Sequence, residues 1–265
     1  MASQDNKHQS LSSVRLLKII ECMADKTEPM RLTDLAAELA MTQPTLLRYL
    51  NALYTEGYIY QDMATGNYAL TWKICGLGER LRSNVSLRTM VSPYLAKLSR
   101  ALDVGLLLAV EHEGDILYLD MVGNPNNSMG ALLRIGKDAP IHTTGSGKIM
   151  LSSLPNAQVL RILEAKGMPA LTRFTITDQA AFMEELAKVR EQGYALDNEE
   201  CEIGHKCLSV PVRDFSGRIA AAISAFDDAD RLTEERMTKK ILPALREAAG
   251  EISYRLGYTP FYGER

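Results

Sequence analysis

The first seventy residues carry apolar positions at helical spacing, separated by short polar breaks. SLSSVRLLKIIECMAD predicts a helix over 11–25, and RLTDLAAELA predicts a short second helix with Thr33 as its N-cap. QPTLLRYLNALYTEG predicts a third helix, with Pro44 in its first turn and Gly57 at its end. YIYQDMATGNYALT reads as a β-hairpin around a Thr-Gly-Asn turn. This order of elements predicts a winged helix-turn-helix.

The third helix of this segment is the candidate for reading DNA, because its polar residues lie near its N-terminus. Helical spacing predicts that Leu46, Leu47, Leu50, Leu53 and Tyr54 pack inward, while Thr45, Arg48, Tyr49 and Ala52 face outward. The predicted DNA-contacting residues are Thr33, Thr42, Gln43, Thr45, Arg48 and Tyr49. The same pattern fits a packed or dimerisation module that contacts no DNA, and this alternative stays open.

The second half of the chain has a different pattern, in which strands come in pairs with helices between them. After a mostly helical stretch over 72–103, GLLLAVEHEGDILYLDMV predicts two strands around a Glu-Gly-Asp turn. Further strands are expected at ALLRIG, CLSVPVRD and GRIAAAISAF, and helices near 145–153, 156–166 and 178–192. A long helix capped by Thr233 closes the chain. These elements predict an α+β domain with an antiparallel sheet.

Composition and charge narrow the classes of function. The chain has 265 residues with a formal net charge of −3, which excludes a uniformly basic coat for nucleic acid. Residues 1–80 hold eight basic and nine acidic side chains, so DNA binding would need more than one copy of the module. No apolar stretch reaches the length of a membrane span, and no signal-peptide core is present, so a cytoplasmic protein is expected. The four cysteines form no Cys-x-x-Cys pair, which indicates reduced thiols.

The stretch HTTGSGKIM (142–150) looks like a phosphate-binding loop, but two key positions do not match. Such a loop needs a glycine where His142 stands and a Ser or Thr where Ile149 stands. A zinc site built from the histidines and cysteines (His112, His142, His205, Cys201, Cys207) has no diagnostic spacing, and neither has a Ser146–His142–Asp197 triad. The sequence therefore predicts no enzyme and no cofactor, while a structural or regulatory zinc stays open.

Across residues 10–258 the chain resembles the IclR family of bacterial transcriptional regulators. The resemblance rests on LTDLAAELAMTQPTLLRYLNALYTEGYI and NYALT, on PIHTTGSGKIMLSSL, on GYALDNEECEIGHKCLSVPVRDFSGRIAAAISAF, and on the order of these blocks. It implies a winged helix-turn-helix DNA-binding domain (1–71), a linker helix (72–90) and a GAF-like effector-binding domain (91–265). It also implies a homodimer or tetramer on double-stranded DNA at a palindromic operator, with repression of a catabolic operon as the expected role.

The resemblance also implies an effector pocket, with HTTGSGK as one wall. Its matching residues are Ala139, Gly145, Ser146, Asp197, His205, Cys207 and Ser224. In the family, the glycines of this block let the backbone approach the ligand, and a helix N-terminus binds carboxylates well. His205 stands where a Leu is common and adds a polar group, while Phe226 reduces the volume. These departures favour a small hydroxylated acid, such as a sugar acid, as effector.

Less specific roles are open for individual residues of this predicted pocket. His142 could simply cap a helix or bond a backbone carbonyl, and Cys207 could be plain core. Lys148 is expected to be structural or on the surface rather than catalytic. The alternative function is a metabolite- or zinc-binding sensor that acts through a protein partner instead of DNA.

Overall fold

A computed structural model describes residues 11–84, 86–124 and 135–259. The chain divides into two compact units between residues 85 and 86. The predicted linker segment 72–90 is therefore split between the two units. A new helix begins at this boundary, and it is capped by Ser86, whose hydroxyl accepts a hydrogen bond from the Thr89 N–H at 3.1 Å.

The first unit consists of three packed helices, a two-stranded wing and a fourth helix. Its elements are α1 (Leu11–Ala24), α2 (Leu32–Glu38), α3 (Gln43–Thr55), β1 (Ile59–Gln61), β2 (Tyr68–Leu70) and α4 (Lys73–Asn84). The strands β1 and β2 pair antiparallel, and Gly66 takes a left-handed conformation in their turn. One apolar cluster, which includes Ile19, Leu35, Leu50 and Ile59, joins the three helices to the wing. The predicted winged helix-turn-helix is confirmed.

The predicted N-cap of α2 is wrong. The cap position is Arg31, which makes no side-chain hydrogen bond to the helix, and Thr33 lies inside the first turn. The Thr33 hydroxyl instead donates to the neighbouring Asp34 carboxylate at 3.0 Å. The preference of threonine for cap positions is thus overridden by the extended segment before this seven-residue helix, where Met30 pairs with Tyr68 in an isolated β-bridge.

The second unit is built on a six-stranded antiparallel sheet. Its elements are α5 (Leu87–Leu102), β3 (Gly105–His112), β4 (Asp115–Val122), β5 (Asp138–Ala139), α6 (Gly145–Ser152), α7 (Asn156–Lys166), α8 (Gln179–Gln192), β6 (Ala195–Asn198), β7 (His205–Arg213), β8 (Ile219–Asp228), α9 (Glu234–Arg236) and α10 (Leu242–Arg255), with a π-helical turn at Met237–Ile241 between the last two. The strand order is β5-β4-β3-β8-β7-β6.

The sheet is covered by helices on both faces, which gives two separate apolar cores. One core joins α5 and α10 to one face through residues such as Leu95, Leu106, Ile223 and Leu245. The other core joins α6, α7 and α8 to the opposite face. The α+β class with an antiparallel sheet is confirmed, and it leaves the N-terminus of α6 against the strands β7 and β8.

Most of the predicted elements of this unit are present. The strand pairs β3–β4 and β7–β8, the helices α6 to α8 and the Thr233 cap are confirmed, the last by a hydrogen bond from the Arg236 N–H to the Thr233 hydroxyl. The strand predicted at ALLRIG falls mainly outside the described residues. Pro93 lies inside α5, so the helical stretch continues through it. In the described part of the chain, no helix is both long and apolar enough to cross a membrane.

Candidate functional site

Helix α3 presents one exposed face in the first unit. Its buried stripe is Leu46, Tyr49, Leu50 and Leu53, which repeats at three- and four-residue intervals. The residues on the opposite side are exposed, and they include Arg48 and Asn51. Arginine and asparagine carry donors that match the edges of guanine and adenine in the major groove. This face therefore has the chemistry of a DNA-reading surface.

The predicted orientation of three side chains on α3 is wrong. Tyr49 is only 6% exposed, so it packs in the core and does not belong to the outward surface. Leu47 and Tyr54, which were expected to pack inward, are exposed. Tyr49 lies three residues after Leu46 and four before Leu53, so helical geometry places it on their side. Asn51 was missed, although its spacing of three residues from Arg48 puts both on one face.

The other predicted DNA-contacting residues lie at the start of α2 and α3. Thr33, Thr42 and Gln43 are exposed and Thr45 is half-buried. Thr42 occupies the cap position of α3, and its hydroxyl donates to the Thr45 hydroxyl at 2.9 Å. These hydroxyls and the free N–H groups of the helix start suit contacts to phosphates.

The second unit contains a cavity of about 200 Å³ beside the N-terminus of α6. Four of the residues implied by the resemblance line it, namely Ser146, Asp197, His205 and Cys207. Ligand pockets for drug-sized molecules enclose roughly 300–1,000 Å³, so this cavity fits a small ligand. Phe226 also lines the cavity, and its ring occupies the space above Gly105. The volume is therefore restricted by Phe226, as expected from the sequence.

The N-terminus of α6 offers hydrogen-bond donors at this cavity. Thr144 and Ser146 line it, and the Thr144 hydroxyl accepts from the Gly147 N–H at 3.0 Å. The N–H groups of Gly145 and Ser146 have no hydrogen-bond acceptor among the described residues, although both residues are buried. Buried donors of this kind are rarely left unpaired, and a helix N-terminus carries partial positive charge. A ligand carboxylate in the cavity would satisfy the N–H group of Ser146, which lines it.

A chain of hydroxyl groups lies behind the cavity wall. The Ser146 and Ser224 hydroxyls are 3.0 Å apart, and those of Ser224 and Ser209 are 2.6 Å apart. Ser224 thus supports Ser146 from the sheet, although it does not line the cavity itself. This contact fixes the helix start against β8.

The two glycines of the TTGSGK stretch have no side chain, which lets atoms of neighbouring segments lie close to the α6 backbone. A Cβ at Gly147 would overlap the carbonyl oxygen of Ile141, and one at Gly145 would overlap the Ser209 hydroxyl. These close approaches hold α6 against the sheet and against the segment before it. Neither glycine lines the cavity, and Ala139 is buried in β5 beside Ile116 without lining it either.

Asp197 is the buried acid of the cavity. Its Oδ1 accepts the N–H groups of Glu200 at 2.8 Å and Cys201 at 3.2 Å, while its Oδ2 has no partner among the described residues. Burial raises the pKa of Asp197 to about 6 against the opposing effect of these two N–H groups. The free oxygen of a carboxylate in a cavity is a good acceptor for a ligand hydroxyl.

His205 and Cys207 differ in their surroundings. His205 stands at the cavity mouth, half-exposed, with its Nδ1 3.5 Å from the Asp228 carboxylate. Burial raises the pKa of the Cys207 thiol to about 12, with a further contribution from Asp197, so this thiol is an inert wall group. Sequence reasoning missed further lining residues, and strand alternation does not account for the consecutive ones: Leu107, Tyr118, Met121, Asn124, Lys206, Asp227 and Asp228. Thr144, Cys201 and Glu202 complete the set.

His142 and Lys148 have structural roles. The His142 Nε2 lies 3.1 Å from the Pro169 carbonyl, which confirms the less specific interpretation, and burial lowers its pKa. Lys148 is 1% exposed, and its ammonium contacts the carboxylates of Glu200 at 2.6 Å and Glu185 at 3.2 Å. It is thus structural and buried, and not on the surface. Within the described residues, no three His, Cys, Asp or Glu side chains come together as a metal site.

The pKa of Asp197 makes the stability of the second unit depend on pH. Its value in the folded protein, about 6, exceeds the usual 3.8, so the folded state takes up a proton before the unfolded chain does as pH falls. Above pH 6, where Asp197 is ionised, its burial therefore lowers the free energy of unfolding by about 2–3 kcal/mol relative to a group with an unshifted pKa. We expect Asp197→Asn to be more stable than wild type at pH 8, with the difference narrowing between pH 6 and pH 4.

Urea unfolding at pH 8 and pH 4 measures this difference. Asp138→Asn is the control, because Asp138 is exposed on β5 and lines no cavity. A stability difference between Asp197→Asn and wild type that is the same at both pH values would rule out a raised pKa at Asp197.

Comparison with known proteins finds the same family in both halves of the chain. Residues 12–63 match the IclR helix-turn-helix domain, and residues 80–254 match the C-terminal domain of bacterial transcriptional regulators of the IclR type. The HTH-type transcriptional regulator KdgR of Escherichia coli K12 is 33% identical over 258 residues, with 97% of each chain covered.

Two solved structures extend the comparison to the second unit. The C-terminal domain of E. coli KdgR aligns with a TM-score of 0.59 at 32% identity, over 65% of this chain and 99% of that one. A double mutant of the inducer-binding domain of PobR from Acinetobacter, in complex with 3-hydroxybenzoic acid, aligns with a TM-score of 0.60 at 27% identity. It covers 64% of this chain and 98% of that one.

Proposed function

The chain belongs to the IclR family of bacterial transcriptional regulators, and we propose that it represses a catabolic operon in response to a small hydroxylated acid. The proteins of this family that it matches are regulators and not enzymes. In our proposal the first unit binds a palindromic operator as part of a homodimer or tetramer. The second unit holds the acid in the cavity beside α6.

The proposed class of effector rests on the presence of a backbone hydrogen-bond donor and a carboxylate acceptor in one cavity. The Ser146 N–H group and the Asp197 Oδ2 both lack a hydrogen-bond partner among the described residues, and they suit a carboxylate and a hydroxyl respectively. An aliphatic acid with hydroxyl groups, such as gluconate or galacturonate, has both groups. The complex of PobR with 3-hydroxybenzoic acid supports the combination of a carboxylate and a hydroxyl, and the small volume favours a compact ligand.

The roles of individual residues follow from this arrangement. Ser146 would orient the carboxylate at the helix start, with Ser224 holding Ser146 in place. Asp197 would select for the hydroxyl groups, and His205 at the mouth would add a second polar contact. In the first unit, Arg48 and Asn51 would read base edges, while Thr42 and Gln43 would contact phosphates.

Calorimetry with full-length protein tests the effector class. We expect gluconate or galacturonate to bind wild type, and Asp197→Ala to lose about 10- to 100-fold in affinity, because a hydrogen bond to a charged group is removed. Hexanoate, which has no hydroxyl, should bind wild type and Asp197→Ala equally. Asp138→Ala is the control, since it removes an exposed carboxylate outside the cavity.

Two results would contradict the proposed effector. One is a screen in which only apolar aromatic compounds bind and no sugar acid does. The other is an Asp197→Ala protein that binds gluconate as tightly as wild type.

A further inference from the structure

A second cleft lies at the opposite end of the sheet from the effector cavity. It encloses about 720 Å³. The effector cavity uses the beginning of β7 and the end of β8, whereas this cleft uses Pro211 and Arg213 at the end of β7 and Ile219 at the start of β8. Helix α6 reaches from one to the other, with Ser146 at the cavity and Ser152 at the cleft. The two hollows are therefore separate sites of one unit.

The cleft carries positive charge without acidic side chains. Arg190, Arg213 and Arg218 line it, and none of its lining residues is Asp or Glu. Neutral hydrogen-bonding groups complete the polar wall, namely those of Ser152, Ser153, Gln158 and Ser216. Three guanidinium groups around one hollow repel one another unless an anion lies between them.

Two of the arginines are held in place by backbone carbonyls. The Arg190 Nε and Nη2 donate to the Ser152 and Leu154 carbonyls at 2.8 and 3.2 Å, and the Arg213 Nη1 donates to the Gly217 carbonyl at 2.9 Å. These contacts fix each guanidinium group and leave further N–H donors on it. A guanidinium group held in this way loses little freedom when it binds a carboxylate or phosphate.

In contrast to Arg190 and Arg213, the Arg218 side chain makes no hydrogen bond or ion pair with any described residue. The nearby acid Asp214 forms no ion pair with the Arg218 guanidinium group. The Asp214 Oδ1 accepts the N–H groups of Ser216 and Arg218 and the Ser216 hydroxyl, which holds the turn between β7 and β8. The unpaired charge of Arg218 is thus available to a ligand.

We propose that this cleft binds a small anion that carries two or more phosphate or carboxylate groups. Planar guanidinium groups form paired hydrogen bonds with both kinds of group. A ligand with several such groups can contact the fixed Arg190 and Arg213 and the free Arg218 at the same time. The cleft would then be a second small-molecule site, independent of the effector cavity.

Calorimetry on the full-length protein tests this site with defined probes at constant ionic strength. Inorganic pyrophosphate represents the phosphate class, citrate the carboxylate class, and inorganic phosphate a single group. We expect pyrophosphate or citrate to bind more tightly than phosphate, and Arg218→Gln to weaken that binding about tenfold or more. Arg213→Gln should act in the same direction, but only Arg218→Gln leaves every described contact of the fold intact.

Arg161→Gln is the matched control, because it removes the same charge from the exposed surface of α7, outside the cleft. Its affinity for both probes should equal that of wild type. The proposal is overturned if neither pyrophosphate nor citrate binds, or if Arg218→Gln and Arg161→Gln weaken binding equally, which indicates general charge attraction. It is also overturned if Arg218→Gln weakens DNA binding alone, which assigns the cleft to the DNA backbone.

Discussion

Replacement of Lys148 by methionine is expected to lower the free energy of unfolding by about 3–5 kcal/mol. The Lys148 ammonium is buried and contacts Glu200, Glu185 and the Leu196 carbonyl at 2.6, 3.2 and 2.8 Å. Methionine keeps much of the volume but leaves the Glu200 carboxylate buried beside no cation. Among the described residues the Glu200 Oε2 has no hydrogen-bond partner even with Lys148 present, so the variant removes a contact from a carboxylate that is already poorly satisfied.

The pH dependence of this loss has a defined sign. Burial already raises the pKa of Glu200, and Lys148 opposes that shift. Without Lys148 the pKa rises further, so Glu200 takes up a proton more readily in the folded protein. The destabilisation by Lys148→Met should therefore be largest at high pH and shrink as pH falls through the raised pKa.

Urea unfolding followed by two probes measures the effect and assigns it to a unit. Trp72 is the only tryptophan and belongs to the first unit, whereas circular dichroism follows helices in both. The dichroism transition should shift to lower urea. Lys188→Met, which removes an exposed lysine from α8, should change stability by less than about 0.5 kcal/mol.

A double variant tests the cause of the loss. Adding Glu200→Gln to Lys148→Met removes both charges and should recover part of the stability, because no uncompensated carboxylate remains. A Lys148→Met protein within about 1 kcal/mol of wild type would contradict a structural role for this buried ion pair.

Arg48→Ala is expected to weaken specific DNA binding by about 30-fold or more, with no change in effector affinity. Each base contact by an arginine contributes about 1–3 kcal/mol, and a dimer would lose two of them. Arg48 is exposed on α3, so its removal should leave the fold intact, as circular dichroism can verify. Fluorescence anisotropy with DNA from upstream of the protein's own gene measures the loss.

Two further variants sharpen the test of the α3 surface. Asn51→Ala should also weaken specific binding, because Asn51 shares the exposed face with Arg48. Arg161→Ala changes the net charge equally but lies in the second unit, so its DNA affinity should match wild type. If Arg48→Ala and Arg161→Ala bound this DNA equally well, the assignment of α3 to base reading would be wrong.

Periodicity was sufficient to predict most elements, but not which side of α3 packs. Leu46, Leu50 and Leu53 pack inward as predicted, whereas Leu47 is exposed and Tyr49, predicted to face outward, is buried. The burial of Tyr49 follows from its spacing, because it lies three residues after Leu46 and four before Leu53, on the same side of the helix. Sorting side chains by polarity alone misses this. The prediction of Thr33 as a cap is wrong for a similar reason, since its local preference competes with the β-bridge between Met30 and Tyr68 just before the helix.

The residues that line the cavity could be predicted in part from the sequence, but the contacts that hold them in place could not. The family resemblance brought together Ser146, Asp197, His205 and Cys207, which do line one hollow. The close approach of Gly147 to the Ile141 carbonyl, and the burial of Lys148, depend on packing between distant segments. Such contacts leave no periodic signal in one sequence. The acid partners of Lys148, 37 and 52 residues further along the chain, could be identified only from coordinates.

The most direct test of the central claim is a DNA-binding titration with and without a sugar acid. Full-length protein is titrated onto labelled DNA from upstream of its own gene, alone and with gluconate or galacturonate at saturating concentration. We expect specific binding that changes about 5- to 150-fold with the acid, as coupling of 1–3 kcal/mol gives, and an Asp197→Ala protein that binds DNA but responds far less. DNA affinity that no hydroxylated acid alters, or no specific binding at all, would contradict an acid-responsive transcriptional regulator.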